Sequence, residues 1–439
     1  MENSTGVLKF PDGFLWGATT SSYQVEGGNT NNDWWQWEQI PGKIADGSRC
    51  GLACDHYHLY QSDFDIAKEL GHNAHRFSLE WSRIEPRQGK WDEKAIAHYR
   101  NVLSALKQRQ IAPLVTLFHF TLPVWASKEG GFENPKIVYF FQRFATKVCA
   151  ELGQNVDYWL TLNEPMVYIY MGYIVKKWPP GRNIRLKIIK VLQNMLRAHA
   201  QAYWAIHRTS QNFPDRKNPL VGLTKYIRIF QPYNKSSLLD RASARLKDYF
   251  FNHYILDIIS TGSMKLLLGL GRALPEIKKT FDFIGLDYYT RELTGFNLSK
   301  PSQFFRESNL SREGDVSDSG WEIYPEGIYL SLIKLKKYGV PVIVTENGLA
   351  DKEDKKRSRF IVDHLIQVHR AMEEGIDVRG YLHWSLMDNF EWQEGFLPRF
   401  GLAEVDYTTQ KRTLRPSAHI FARICKTNQI TPHLLRDTL

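Results

Sequence analysis

"YWLTLNEP", Tyr158 to Pro165, begins as a strand and stops abruptly. Tyr158 to Leu162 is mostly apolar, as in a strand buried on both faces. Asn163, Glu164 and Pro165 follow. Proline has no N–H and disfavours helical backbone in the residue before it, so the strand must end here. A carboxylate therefore stands where a strand leaves the core. "PVIVTENG", Pro341 to Gly348, repeats the arrangement: an apolar run gives way to Thr345, Glu346 and Asn347 before Gly348.

Working outward, short apolar runs alternate with longer amphipathic ones. Strands are expected at 14–20, 74–81, 113–120, 158–163, 220–226, 281–288, 342–345 and 379–385. Helical patterns such as "QSDFDIAKELG" (61–71) and "HYRNVLSALKQRQ" (98–110) lie between them. Gly71 is a stop signal for the first. Eight strands alternating with helices point to an α/β chain folded as one (β/α)₈ barrel, residues 1–439, with elaborated loops at the active-site mouth. The unit from Val221 to Leu274 has the weakest pattern.

In such a barrel the active site lies at the C-terminal ends of the strands. Polar and aromatic residues gather there. Arg76 lies in the second strand and His119 ends the third. Asn163 and Glu164 end the fourth, Asp287 and Tyr289 the sixth, Glu346 the seventh and Trp384 the eighth. Any one of them could serve structure alone; their convergence on one face argues for a site. Two glutamates facing each other across a barrel mouth suit cleavage of a glycosidic bond. That reaction needs one carboxyl held protonated and one ionised.

The 439 residues are 43% hydrophobic and 24% charged, as in ordinary globular chains. The 13% aromatic share, with 13 Trp and 21 Tyr, suits flat ligands with polar edges but also a packed core. The net charge of +10 is scattered, and its densest cluster, "KEDKKRSR" (352–359), also carries acids. A solvated helix face is the simpler reading, so no nucleic-acid partner is expected. Four cysteines, Cys50, Cys54, Cys149 and Cys425, make no disulfide framework. With no apolar leader and no membrane-length run, a cytoplasmic chain without a membrane partner is expected.

The chain resembles family 1 glycoside hydrolases, the β-glucosidase family, along nearly its whole length. The resemblance is carried by "FLWGATTSSYQVEGG" (14–28), "RFSLEWSRIEP" (76–86), "LFHFTLPVW" (117–125) and "TLNEP" (161–165). It continues in "FIGLDYYT" (283–290), "GWEIYPEGIY" (320–329), "VTENG" (344–348) and "WSLMDNFEWQEGFLPRFGL" (384–402). It implies a retaining β-glycosidase acting on a terminal β-glucosyl residue, with galactosyl or fucosyl residues also considered. Glu164 is implied as acid/base and Glu346 as nucleophile, with Arg76 and Tyr289 beside the latter to favour its ionised form. Gln24, His119, Asn163, Glu391 and Trp392 are implied as hydrogen-bonding partners of the sugar. Trp384 is implied as its aromatic floor, and Trp321 and Phe400 as walls. Relatives that cleave 6-phosphosugars carry a Ser and a Lys/Tyr pair where this chain has Glu391, so an unphosphorylated sugar is expected.

Three residues depart from the family pattern. Phe120 stands where many members have Trp. Met166 stands where an aromatic is common near the aglycone. Asp287 replaces the usual Asn. If ionised, Asp287 would raise the pKa of Glu346; if protonated, or turned toward a cation such as Arg291, it would have little effect. A transglycosylase uses the same residues and stays an alternative. A noncatalytic sugar-binding barrel and a thioglucosidase are disfavoured, because Glu164 and Glu346 are both present.

No cofactor or metal is expected. "CGLACDHYH" (50–58) has potential zinc ligands but lacks a second ligand pair at regular spacing. "DWWQWEQ" (33–39) reads equally as a wall of the mouth or as core, and "VYFFQRF" (138–144) as a buried helix face.

Overall fold

The structure is a computed structural model, and it describes residues 6–182, 188–213, 217–265, 271–297, 306–308 and 315–438. Eight parallel strands close into a barrel. They are β1 (Leu15–Thr19), β2 (Ala74–Ser78), β3 (Ala112–Phe118), β4 (Tyr158–Leu162), β5 (Leu220–Tyr226), β6 (Phe283–Asp287), β7 (Val342–Asn347) and β8 (Val378–Trp384). Each pairs with its neighbours in sequence, and β8 closes onto β1. All eight coincide with the expected strands to within a few residues. The second is shorter than expected: it stops at Ser78, and Trp81 opens a one-turn helix capped by the Glu80 carboxylate.

Helices cover the outside: α1 (His56–Glu69), α2 (Glu93–Gln108), α3 (Lys136–Leu152), α4 (Ile188–Ser210), α5 (Leu238–Asp248), α6 (Tyr254–Thr261), α7 (Glu326–Leu335), α8 (Arg357–Glu373) and α9 (Pro416–Thr427). Their apolar residues follow the helical period. In α2, Asp92 caps the first turn by accepting from the N–H groups of Lys94 and Ala95 at 2.8 and 3.1 Å. Ile96, Tyr99, Leu103 and Leu106 then face inward. In α3, Ile137, Phe140, Phe141, Phe144 and Val148 are buried, which confirms the helix-face reading of that aromatic run. The weakly patterned fifth crossover contains α5 and α6, joined by a π-helical turn at Tyr249–His253.

Inside the barrel, Ala74, Leu114, Leu160, Phe283, Ile343 and Leu382 form a closed apolar layer. Side chains alternate along a strand, so residues two positions later stand one layer higher on the same face. That register lifts Arg76, Thr116, Thr345 and Trp384 above the layer. Gly285 sits at this level because a Cβ there would lie 2.8 Å from Thr345 Oγ1 and 3.0 Å from Thr224 Cγ2.

The chain is also joined below the barrel. Leu8–Lys9 pairs antiparallel with Gln429–Ile430. Trp16 of β1 donates through Nε1 to Asn428 Oδ1 at 2.8 Å and packs against Phe421 of α9.

Candidate active site

Ladder irregularities fall where the site begins. The β6–β7 register shifts between Leu286 and Asp287, which brings Asp287 opposite Glu346. β7 and β8 slip at the mouth between Val344 and Asn347, and once more at the far end between Val342 and Ile343. Such bulges re-aim side chains at a barrel rim. Three residues at the mouth take left-handed backbone despite having side chains: Phe120 at φ 69°, Glu164 at φ 40° and Trp392 at φ 53°. Each costs about 1 kcal/mol or more and is held by its surroundings. For Glu164 the hold is visible, since its N–H donates to Thr224 Oγ1 at 3.0 Å, fixing the turn that aims the carboxyl across the mouth.

A cavity of about 480 Å³ opens there. Glu164 and Glu346 stand in its lining, and an oxygen of each lies within 4.8 Å of the other and of an Asp287 oxygen. The two glutamates differ in their partners. Arg76 Nη1 donates to Glu346 Oε1 at 2.6 Å, and Tyr289 Oη donates to Oε2 at 2.7 Å. Among the described residues Glu164 forms no ion pair. Burial, then Asp287 and Glu346, push the Glu164 carboxyl well above its usual range. Burial and Asp287 also push Glu346 up, but Arg76 and Tyr289 pull it back. The net direction for Glu346 is upward, because burial, joined by the Asp287 influence considered from the sequence, outweighs its two donors. The bonds from Arg76 and Tyr289 favour the ionised form of Glu346 over that of Glu164.

Asp287 is fully buried beneath the pair. Its Oδ1 accepts from Thr345 Oγ1 at 2.6 Å and lies 3.8 Å from Arg76 Nη1. Burial raises its pKa, and Arg76 is the largest opposing influence. It is not turned toward Arg291, which instead grips Glu322 with two bonds of 2.7 Å. Lys225, which sequence reading passed over, is also buried nearby. Burial lowers it to about 7, while Glu164 and Asp287 pull it upward. Asp287→Asn keeps the acceptor for Thr345 and removes the ionisable group. The acidic limb of kcat/KM is expected to move down by up to about one pH unit. A pH–rate profile on one aryl β-glucoside checks this; an unmoved limb means that Asp287 is not coupled to Glu346.

The remaining residues implied for sugar binding converge on the same cavity. Asn163 Oδ1 accepts from Arg76 and from Thr224 Oγ1, the latter at 2.7 Å, so its Nδ2 is turned toward His119 Nε2 at 3.3 Å. Burial and Arg76 hold His119 neutral, leaving the ring able both to donate and to accept. Glu391 accepts from Trp384 Nε1 at 3.1 Å and from Gln24 Nε2 at 3.5 Å, and burial raises it to about 8. Its loop is anchored by Asp388, which accepts from Arg415 at 2.9 and 2.8 Å and from the Gly401 N–H at 2.9 Å. Trp384, Phe400 and Ala350 form an apolar cluster backed by Tyr289, and Trp321 lies 5.5 Å from the Tyr289 ring at the entrance.

Trp34 of the Trp-rich stretch is core rather than wall. It is buried against Trp392 and Trp178, at centroid distances of 4.7 and 5.4 Å. Phe120 packs on Trp178 at 4.7 Å while lining the cavity. Met166 is not in this cavity; it lines a neighbouring one. Cys50 and Cys54 hydrogen-bond to backbone carbonyls, and His56 pairs with Asp63 at 2.7 Å, so this stretch is tied into local structure. Val167, Met171, Trp178, Tyr226, Arg228 and Gln393 line the cavity without having been anticipated. Tyr226 could have been found, as it ends an expected strand.

A family model described as "Glycosyl hydrolase family 1" matches residues 7–430. The chain is 34% identical over 450 residues to Beta-glucosidase A of Thermotoga maritima, covering 96% of this chain and 99% of that protein. It is 33% identical over 509 residues to a beta-galactosidase of Pyrococcus woesei, covering 98% and 99%. Among solved structures, a beta-glycosidase from Pyrococcus horikoshii superposes with a TM-score of 0.91 at 42% identity, covering 99% of both chains. The Thermotoga maritima beta-glucosidase in complex with castanospermine gives a TM-score of 0.89 at 33% identity, covering 96% of this chain and 99% of that one.

Proposed function

As the chain belongs to glycosyl hydrolase family 1 and is a retaining β-glycosidase of the β-glucosidase type, we propose that Glu346 is its nucleophile and Glu164 its acid/base. The observation that carries the assignment is the asymmetry of the two carboxyls. They approach within 4.8 Å, yet only Glu346 is held by a cation and a phenol. That approach suits the about 5–5.5 Å separation of retaining enzymes and leaves no room for the water that inverting ones place between their carboxyls.

In the first step protonated Glu164 donates to the glycosidic oxygen as Glu346 attacks the anomeric carbon. The ester that forms removes the negative charge of Glu346. Glu164, now ionised, loses a like-charged neighbour and is stabilised as the base that takes a proton from water. Gln24, His119, Asn163, Glu391 and Trp392 hold the sugar hydroxyls, the Trp384 face receives the ring, and Trp321 and Phe400 flank it. Arg76, Asp287 and Phe120 support these groups, and Met166 borders the aglycone. A nitrophenyl α- and β-glycoside panel, with NMR of the first-formed anomer, tests the reading. Cleavage of β-glucosides with first release of the β-anomer is expected; α-specificity or first release of the α-anomer would overturn it.

The sugar is proposed to be unphosphorylated glucose, with galactosides accepted more weakly. Arg228 is the single cation among the described lining residues, and Glu292 already binds it at 3.0 Å. A 6-phosphate would meet Glu391 without a counter-charge. Its kcat/KM is expected to be at least about 100-fold below that of the plain β-glucoside; equal values for the two substrates would sink this assignment.

Residues 1–439 are proposed to act as one catalytic domain, which a single two-state calorimetric transition would support. No described helix is long and apolar enough to cross a membrane. The four buried free thiols support a reducing, cytoplasmic setting, which cell fractionation checks.

A further inference from the structure

Lys225 is buried behind the three carboxyls, and neither step of the reaction uses it. Side chains alternate along β5, so Thr224 and Tyr226 face the barrel mouth while Lys225 points the other way. Its two neighbours in sequence hold two of the acids. Thr224 Oγ1 accepts from the Glu164 N–H at 3.0 Å, and Tyr226 pairs with Asp287 across the β5–β6 ladder. Lys225 itself lines neither the sugar cavity nor the cavity beside it. Its Nζ donates to the Tyr226 carbonyl and lies 4.6 Å from the centre of the Phe251 ring. A carbonyl oxygen and an aromatic face both favour the ammonium over the amine. An ammonium is costly to bury without a counter-charge, so packing alone does not explain a lysine here.

Three acids act on it from three elements: Glu164 after β4, Asp287 on β6 and Asp248 at the end of α5. Asp248 is already paired, with Lys334 at 3.0 Å and with His253 at 3.4 Å. On its own strand, the Tyr226 hydroxyl accepts from Arg228 Nε at 3.2 Å. That leaves Glu164 and Asp287. Asp287 lies 3.8 Å from Arg76, but that guanidinium is bonded to Glu346 and Asn163. Glu164 in turn feels Asp287, Glu346, Lys225 and Arg76, with the Tyr226 and Tyr289 hydroxyls nearby.

The charges then balance only if Lys225 is counted. Before the first step Glu346 and Asp287 can both be negative, and Arg76 supplies one positive charge. After the ester forms, Glu164 takes the place of Glu346 in that count. An asparagine at 287 would leave one carboxylate for one guanidinium; an aspartate calls for a second cation in both states.

We propose that Lys225 is a positioning residue that acts through Glu164: its ammonium is the counter-charge to Asp287 and sets the pH at which Glu164 gives up its proton. The inference rests on the reading of Glu164 as the acid. Lys225 leads the influences that draw Glu164 downward, ahead of Arg76. Burial brings Lys225 itself to about 7 against the pull of the three acids, so it is uncharged over part of the alkaline range, where an arginine would stay charged.

The test is the kcat/KM–pH profile of wild type, Lys225→Met and Lys225→Arg on two substrates. Methyl β-D-glucoside needs a proton on its leaving oxygen and dinitrophenyl β-D-glucoside does not. On the methyl glucoside the basic limb reports loss of the Glu164 proton. That limb is expected to lie lowest in Lys225→Arg, higher in wild type and highest in Lys225→Met, over a span of about one pH unit. Asp287→Asn combined with Lys225→Met removes both charges and is expected to bring the limb back toward wild type. Should a Lys225 variant fail to fold, Lys225→Gln keeps a donor for the Tyr226 carbonyl and is expected to place its limb above wild type. A lysine that serves only structure would change rate or stability and leave the limbs together; equal limbs, or the reverse order, overturn the inference. A double variant with its limb as high as that of Lys225→Met overturns the pairing with Asp287. A basic limb identical on the two substrates removes the acid role of Glu164 itself. That result is distinct from a limb confined to the methyl glucoside and unmoved by the Lys225 variants, which overturns the role of Lys225 alone.

Discussion

Glu346→Ala is expected to stop turnover, with kcat falling on the order of 10⁴- to 10⁶-fold on an aryl β-glucoside. The variant keeps Glu164, the sugar-binding wall and the Arg76–Asn163 contact, so binding should persist while the covalent step is lost. Removing the carboxylate also leaves space in front of Arg76 and Tyr289, which now face a void of anionic shape. Azide or formate can enter that space and attack the anomeric carbon from the face that Glu346 used. With azide the product is then the α-glycosyl azide, inverted relative to substrate. NMR of the product and the rate as a function of azide concentration check both parts. Near-wild-type activity without added anion would show that another group is the nucleophile.

Glu164→Ala should leave a different signature, because its role depends on the leaving group. Proton donation contributes about 10²- to 10⁴-fold. Alkyl glucosides, whose leaving oxygen needs a proton, should lose that full factor in kcat/KM. Dinitrophenyl β-glucoside, whose leaving group departs unaided, should form the glycosyl–enzyme at close to the normal rate and then stall, since no base activates water. A burst of dinitrophenol followed by a slow steady state is the expected trace. Azide should accelerate the slow phase and give a β-glycosyl azide, retained because two displacements have occurred. An equal loss on both substrates, with no burst, would assign Glu164 to structure instead. The configurations of the two azide products thus separate the two glutamates in a way that rate loss alone cannot.

The barrel was legible because its strands are short, apolar and bounded by residues that cannot continue them, as Pro165 bounds β4. The candidate site was legible because such barrels carry their sites at strand ends, where Arg76, Asn163, Glu346 and Trp384 stand out in apolar surroundings. What stayed hidden depends on three-dimensional packing. Trp34 gives no local sign that it packs against Trp392 and Trp178. Lys225 looks like a surface residue in sequence and lies in a buried layer between Phe251 and the acidic cluster. The net upward shift at Glu346 could not be foreseen from its donors, because it depends on how completely the walls exclude water. The cavity that Met166 lines is walled by two π-turns far apart in the chain, Tyr170–Ile174 and Tyr249–His253, and neither has a periodicity that marks it.

The closure of the barrel has a consequence for how the chain is made. β1 emerges from the ribosome early and finds β2, but its other neighbour, β8, is made only after most of the chain. Until then β1 and β7 are open edges with unpaired backbone groups, and Trp16 lacks both Asn428 and Phe421. A nascent chain stalled before residue 378 therefore holds seven strands with no possibility of closing. One stalled before 416 has paired strands with an uncovered seam. Translation pauses in this window should prolong exposure of an adhesive sheet edge, so it is the part of the message where synonymous codon choice would most affect the yield of folded enzyme.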